Sequence, residues 1–186
     1  MAKPTRTQHL KEVINAHSQD MTGKVVAITG TTSGTGFICA RELGKKGATV
    51  ILLNRKSSRS EQSHEKLVKA VPNATFEAID CDLQKFDTVK QAIEDIKAKY
   101  DTLDVLVNNA GVMALEDMST IDGYDVQIQT NVLSHFLLTK ELFPLLKNSK
   151  AARIVNHSSM ARLGGPLKPD FFGKNGGNLG GDGTEE

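Results

Sequence analysis

Cysteine is scarce in this chain: Cys39 and Cys81 are the only two among 186 residues. Two thiols are too few for a disulfide framework and show no metal-ligand spacing, which excludes a stapled secreted module. Both read as small core residues in a reducing compartment. Charge of one sign is equally lacking. The 23 basic and 22 acidic side chains nearly cancel, leaving no bulk field to grip nucleic acid or an anionic membrane. The opening Met-Ala-Lys-Pro-Thr-Arg lacks the apolar stretch of a signal peptide, and no later apolar run approaches the roughly 18–20 residues that span a bilayer. The five histidines, His9, His17, His64, His135 and His157, are scattered without ligand spacing, so no metal site is expected. His135 lies in an apolar helical segment and reads as a satisfied core or interface residue. A soluble cytoplasmic domain is what these absences leave. At 186 residues and 39% hydrophobic content, one domain with a real core fits.

Glycine is unevenly spread. Eight of the 16 glycines fall between Gly164 and Gly183, so residues 164–186 are expected to form a mobile glycine-rich tail. Residues 1–22 precede the main pattern. There Leu10, Val13, Ile14 and His17 suggest a short amphipathic helix.

Between these ends, residues 23–163 alternate strand and helix patterns. Compact apolar runs lie at Lys24–Thr29, Ala48–Asn54, Ala74–Asp80, Leu103–Val107 and Arg153–His157. Several are apolar at consecutive positions, as expected of strands covered on both faces. In the first intervening helix, Gly36, Ala40, Leu43 and Gly47 share one side. In the third, Phe86, Val89, Ile93, Ile96 and Tyr100 recur at helical spacing. The segment Gly123–Lys147 is the longest and is apolar on more than one face. Gaps long enough for crossovers predict a doubly wound α/β domain with five parallel strands, Rossmann-like.

Directly between the first strand and first helix stands Thr29-Gly30-Thr31-Thr32-Ser33-Gly34-Thr35-Gly36. A helix start offers unpaired N–H groups and a positive dipole end, which suit a diphosphate. Glycines let the chain turn sharply and let phosphate oxygens approach. The hydroxyls of Thr31, Thr32 and Ser33 are further donors. An ordinary glycine turn is the plain alternative; the strand–turn–helix context favours phosphate binding.

At this turn the sequence resembles the short-chain dehydrogenases/reductases, whose Thr-Gly-x-x-x-Gly-x-Gly signature is met by Thr29, Gly30, Gly34 and Gly36. The similarity is to the retinol-dehydrogenase-like and WW-domain oxidoreductase-like branch, from about Thr22 to about Ala161. Thr35 departs from the apolar residue usual there. Asp82-Leu83, after the third strand, matches the family's pair beside the adenine. Asn108-Asn109-Ala110-Gly111, after the fourth, matches its Asn-Asn-Ala-Gly motif, whose backbone runs along the cofactor. The resemblance therefore implies cofactor contacts at Gly30, Thr32, Ser33, Gly34, Thr35, Gly36, Asn54, Arg55, Asp82, Leu83, Asn109, Ala110 and Gly111.

Dinucleotide folds that use NAD(H) place an acid at the end of the second strand to accept from the ribose 2′-OH. Here that end reads Leu53-Asn54-Arg55-Lys56-Ser57-Ser58-Arg59, and the first acid is Glu61. Arg55 could fork onto a 2′-phosphate, with Lys56 or Arg59 adding charge, so NADP(H) is preferred over NAD(H). A solvated basic loop is the alternative.

The resemblance assigns the substrate-oxygen contact to Ser159 and a water-holding role to Asn131. It also calls for a tyrosine with a lysine four positions later, following the serine. The two tyrosines, Tyr100 and Tyr124, precede Ser159, and the positions four beyond them hold Asp104 and Ile128. The chain is therefore expected to be an incomplete version of a longer enzyme. It would carry the cofactor half, end in the substrate loop, and leave the fifth strand and the long helix bare. Two functions stay open: an NADP(H)-dependent oxidoreductase acting on a small alcohol or carbonyl, and a non-catalytic nucleotide-binding scaffold or pseudoenzyme. A homo-oligomer of the complete protein is compatible with either.

Overall fold

A computed structural model of the chain describes Gln8, residues 12–14, Ala16 and residues 19–115, 118–160 and 169–174. Five parallel strands form one sheet: β1 (Val25–Thr29), β2 (Thr49–Asn54), β3 (Thr75–Asp80), β4 (Val105–Asn108) and β5 (Arg153–Asn156). Their order is β3-β2-β1-β4-β5. The doubly wound α/β reading holds. Helices α1 (Gly34–Lys45), α2 (Ser58–Ala70), α3 (Phe86–Lys99) and α4 (Ser134–Lys147) make the crossovers.

The consecutive apolar runs serve two cores at once. Val26, Ile28, Val50 and Leu52 pack on one face with Ala40 of α1 and Leu67 of α2. Ala27, Ile51 and Leu53 turn to the other, against Ile93 and Ile96 of α3 and Leu138 and Leu142 of α4. This is the strand period of two, with both phases buried. Each fully buried Leu or Ile contributes about 1.5–3 kcal/mol, so the central strands bear most of the stability.

Sheet edges depart from that pattern. β3 exposes Thr75, Ala78 and Asp80. All four residues of β5 are exposed, with Ile154 at 39% and Val155 at 47%. On α4, Phe136 and Phe143 are exposed as well. The bare fifth strand and partly bare long helix expected from the sequence are both present.

Three local expectations are corrected. The small-residue stripe of α1 is Gly36, Ala40 and Gly44, not Gly47. A Cβ on Gly44 would stand 2.6 Å from the Phe76 ring, whereas Gly47 lies past the helix end at φ +90°. The long helix does not begin at Gly123, a left-handed turn residue at φ +86°. Asp125 caps instead, its carboxylate accepting from the Gln127 and Ile128 amides. A short turn, Val126–Ile128, then passes through a π-helical turn, Gln129–Leu133, into α4. Third, the strand expected over Leu103–Val107 is displaced to Val105–Asn108. Just before it, the Asp104 carboxylate accepts from the Val25 amide, Lys24 Nζ and Ser149 Oγ, while its backbone bonds the Val25 carbonyl and the Arg153 amide.

Of the expected N-terminal helix, residues 12–14 are helical and Val13 is exposed; Leu10 and His17 lie outside the described residues. Most of the glycine-rich tail lies outside them too. Pro169–Phe172 form a 3₁₀ turn, and Lys174 Nζ sits 5.5 Å from the centre of the Tyr124 ring. Among the described residues, no helix is long and apolar enough to cross a membrane and no cluster of side chains could hold a metal.

Candidate functional site

Strand order reverses between β1 and β4, and in open α/β sheets the crevice at such a switch point takes ligands. Here a cleft of about 380 Å³ opens at their carboxyl ends. It is lined by the turn after β1 (Gly30, Thr32, Ser33, Thr35, Gly36), by Asn109-Ala110-Gly111 after β4, and by Arg59 and His157.

Each glycine of the turn answers a different demand. Gly30 is left-handed, at φ +71°, and a Cβ there would stand 2.9 Å from Ala110 Cα. Gly34 is left-handed at φ +58°, with open space around it. A Cβ on Gly36 would fall on the Gly30 carbonyl oxygen and 2.5 Å from Asn109 Nδ2. Ser33 stands at the N-cap of α1 without a side-chain cap, so the amides of the first turn stay available beside the cleft. Bare backbone therefore forms this side of the cleft.

The far wall is held by Thr29 and Asn109. Thr29 Oγ1 accepts from the Asn109 and Ala110 amides, both at 2.9 Å. Asn109 Nδ2 donates to the Thr29 and Gly30 carbonyls at 2.9 and 3.1 Å. The two glycine-bearing segments are thereby tied into one rigid wall.

Asn54, at the end of β2, is bonded to the turn after β1. Its Oδ1 accepts from the Thr31 amide and its Nδ2 donates to Thr31 Oγ1, both at 2.7 Å. Ser63 Oγ donates to the Thr31 carbonyl. Both amide atoms of Asn54 are thus engaged in latching β2 to the turn. Arg55 and Lys56 are exposed beyond it. Arg59 Nη2 donates to Ser33 Oγ at 2.7 Å. Among the described residues none of these three cations is in an ion pair. Glu61 falls inside α2, as its position implied.

Asp82 and Leu83 are buried after β3 and do not line the cleft. The Asp82 carboxylate accepts from the Gln84 amide, and the Leu83 carbonyl from Ser134 Oγ. Asn131 lies in the π-helical turn, and its amide bonds the Val112 N–H and carbonyl, both at 2.8 Å. Its Oδ1 would be 3.4 Å from a Cβ on Gly111. Ser159 is exposed just past β5. Neither tyrosine lines the cleft. Burial and the bond its hydroxyl donates to Glu77 push the Tyr100 phenol up to about 12, and Tyr124 packs edge-on against Phe86.

Residues 24–167 match the short chain dehydrogenase family. The chain belongs to that family. Among short-chain dehydrogenase relatives, an uncharacterized oxidoreductase of Schizosaccharomyces pombe is 38% identical over 82% of this chain and 47% of its own length. Mouse (Mus musculus) retinol dehydrogenase 12 is 37% identical over 78% of this chain and 46% of its own, in keeping with the branch the motifs suggested. The chain thus spans about half the length of these curated relatives. A solved structure of an uncharacterized protein from Mycobacterium paratuberculosis superposes with TM-score 0.72 and 36% identity, covering 84% of this chain and 54% of that one. A Shigella flexneri short chain dehydrogenase, described as complexed with NADP, gives TM-score 0.61 and 26% identity over 74% of this chain and 59% of its own.

One residue lining the cleft, His157, escaped the sequence reading as a site residue. His157 was one scattered histidine among five, and its pairing with Asn109 Oδ1 at 3.1 Å joins residues 48 apart. The signal available was its place beside the Ser158-Ser159 pair at a strand end. Arg59 was legible as added charge, but not its anchoring on Ser33.

Proposed function

We propose that this chain is the cofactor-binding part of an NADP(H)-dependent oxidoreductase acting on a small alcohol or carbonyl substrate. The observation that carries the reading is the cradle at Gly36, where a Cβ would overlap the Gly30 carbonyl oxygen. Such close-set bare backbone suits a diphosphate at the first turn of α1. A bound nicotinamide supplies the hydride chemistry.

The chain's own residues have separate tasks in this proposal. The amides of Thr35 and Gly36 bind the diphosphate, and the Asn109–Gly111 backbone orients the rest of the dinucleotide. Arg55, with Lys56 and Arg59, binds the 2′-phosphate. These exposed cations and the lack of an acid at the end of β2 support NADP(H) over NAD(H), as does the NADP complex of the Shigella flexneri relative. Ser159 orients the substrate oxygen, and Asn131 steadies the segment at Val112 beside it. Two unpaired cysteines, with burial pushing the Cys81 thiol up to about 12, support a reducing cytoplasmic setting.

Neither tyrosine reaches the cleft, which favours a second reading, a nucleotide-binding scaffold. Calorimetric titration separates the two from the common premise. Residues 1–186 are expected to bind NADPH and to reduce no aldehyde. A longer form with a tyrosine and lysine four apart after Ser159 is expected to reduce aldehydes. Absence of NADPH binding in both forms refutes the cofactor site; binding without turnover in the longer form selects the scaffold.

A further inference from the structure

His135 sits in the first turn of α4, on the buried face that Leu138 and Leu142 continue. Its ring reaches β1 behind the cleft wall and does not line the cleft. Both ring nitrogens are engaged. Nε2 lies 2.9 Å from Thr29 Oγ1, and Nδ1 lies 3.1 Å from the Asn131 carbonyl oxygen.

The second contact decides the first. A carbonyl only accepts, so Nδ1 carries a proton, and in the neutral ring Nε2 is then a bare acceptor. A proton on Nε2 as well would send three donors into Thr29 Oγ1, which has two lone pairs. Those lone pairs are already taken by the Asn109 and Ala110 amides, both at 2.9 Å. The hydroxyl hydrogen must therefore leave in a third direction. Nε2 lies there; the other acceptor in reach, the Val107 carbonyl, is 3.5 Å away, too far for a strong bond. Without an acceptor at Nε2 the hydroxyl turns toward Val107, and its lone pairs turn off the two amides.

We infer that His135 is a positioning residue: by taking the Thr29 hydrogen it aims both lone pairs at Asn109 and Ala110, and so sets the backbone that orients the dinucleotide. The inference rests on the proposed cofactor site. It goes beyond that site by giving a part to a side chain that touches neither cofactor nor substrate. The bond to Asn131 fixes the ring, and the Asn131 side chain grips Val112. Ala110-Gly111-Val112 is thereby held at both ends.

Three substitutions split the two ring contacts. His135→Gln keeps an acceptor at the reach of Nε2 and loses the donor at Nδ1. His135→Asn keeps a donor at the place of Nδ1 and loses the acceptor. His135→Phe loses both. The NADPH dissociation constant of each is measured by fluorescence at about pH 8, above the ordinary histidine value, beside its melting temperature. Wild type and His135→Gln are expected to agree within about twofold, and His135→Asn and His135→Phe to bind about threefold to tenfold more weakly, the worth of one hydrogen bond. His135→Gln should melt lower than the wild type, having lost the Asn131 bond, and still bind well. Affinity then follows the acceptor and not stability, which a merely structural role would not produce. Nitrogen-15 NMR of the wild-type imidazole gives a reading independent of the variants, with the proton expected on Nδ1 and Nε2 bare.

Equal affinity in all four proteins overturns the inference while leaving the cofactor site standing. So does a His135→Gln that binds as weakly as His135→Phe. A wild-type proton on Nε2 overturns it as well, and decides the matter even where a variant fails to fold. Absence of NADPH binding to the wild type overturns the inference and the cofactor site together.

Discussion

Thr29 Oγ1 and His135 Nε2 lie 2.9 Å apart in the core beneath the cleft, and their contact fixes the state of the imidazole. The hydroxyl already accepts from the Asn109 and Ala110 amides, so its lone pairs are used and it donates to Nε2. Nδ1 must then carry the ring proton, which it gives to the Asn131 carbonyl at 3.1 Å. His135 is neutral and ties the turn after β1 to the π-helical turn. The sequence reading of a satisfied core histidine fits this environment.

The first prediction concerns acid stability. Burial, outweighing the bond to the Asn131 carbonyl, holds the folded-state pKa of His135 below its ordinary value. The unfolded chain therefore binds the proton more readily, and stability rises with pH across the gap. This contribution is complete above about pH 6.5, the ordinary histidine value, and fades as pH falls below it. The melting temperature of the wild type should drop between about pH 7 and about pH 5, and that of His135→Phe should drop less. At neutral pH the same variant should lose about 1–3 kcal/mol, from the Asn131 carbonyl left unpaired. Parallel acid limbs in the two melting profiles would reject the assignment.

A second prediction separates two glycines in one turn. Gly36→Ala drives a Cβ onto backbone and should destabilise by about 1–3 kcal/mol. It should also weaken NADPH binding about tenfold or more, equivalent to about 1.4 kcal/mol. Gly34→Ala meets no neighbour and is strained only by its left-handed backbone, at about 1–2 kcal/mol. Its binding loss should be smaller. Equal losses in affinity at the two positions would mean that close approach at Gly36 is not what the ligand uses.

The third prediction tests cofactor choice. Arg55→Asp replaces an exposed cation with an acceptor for a ribose 2′-OH. The ratio of NADPH to NADH dissociation constants should shift toward NADH by about tenfold or more, since a charge-assisted bond is worth about 1.5–3 kcal/mol. The melting temperature of the free protein should stay nearly unchanged. An unaltered ratio would remove Arg55 from the site.

Much of this architecture was legible because single residues answered single demands. Val26-Ala27-Ile28 announces a strand covered twice, and Gly30 and Gly36 announce a turn with no room for side chains. Asn54 was harder to read. A strand-end amide before Arg-Lys looks open to a ligand, yet its pairing with Thr31 depends on how β1 and β2 stand together. The start of α4 was blurred for another reason: apolar spacing does not reveal that Gln129–Leu133 shifts into a π-helical turn. His157 depended on a neighbour from another strand, which no local pattern supplies.

Asp104 stands at the amino end of β4, opposite the cleft at the carboxyl ends, gathering the Val25 amide, Lys24 and Ser149 around one carboxylate. The molecule thereby splits its duties between two rims. One rim is a closed knot whose polar atoms satisfy one another, and the other carries the glycine turn and the exposed Arg55 and Lys56. Evolution can consequently retune sturdiness through the knot and selectivity through the open rim, with little cross-talk between the two.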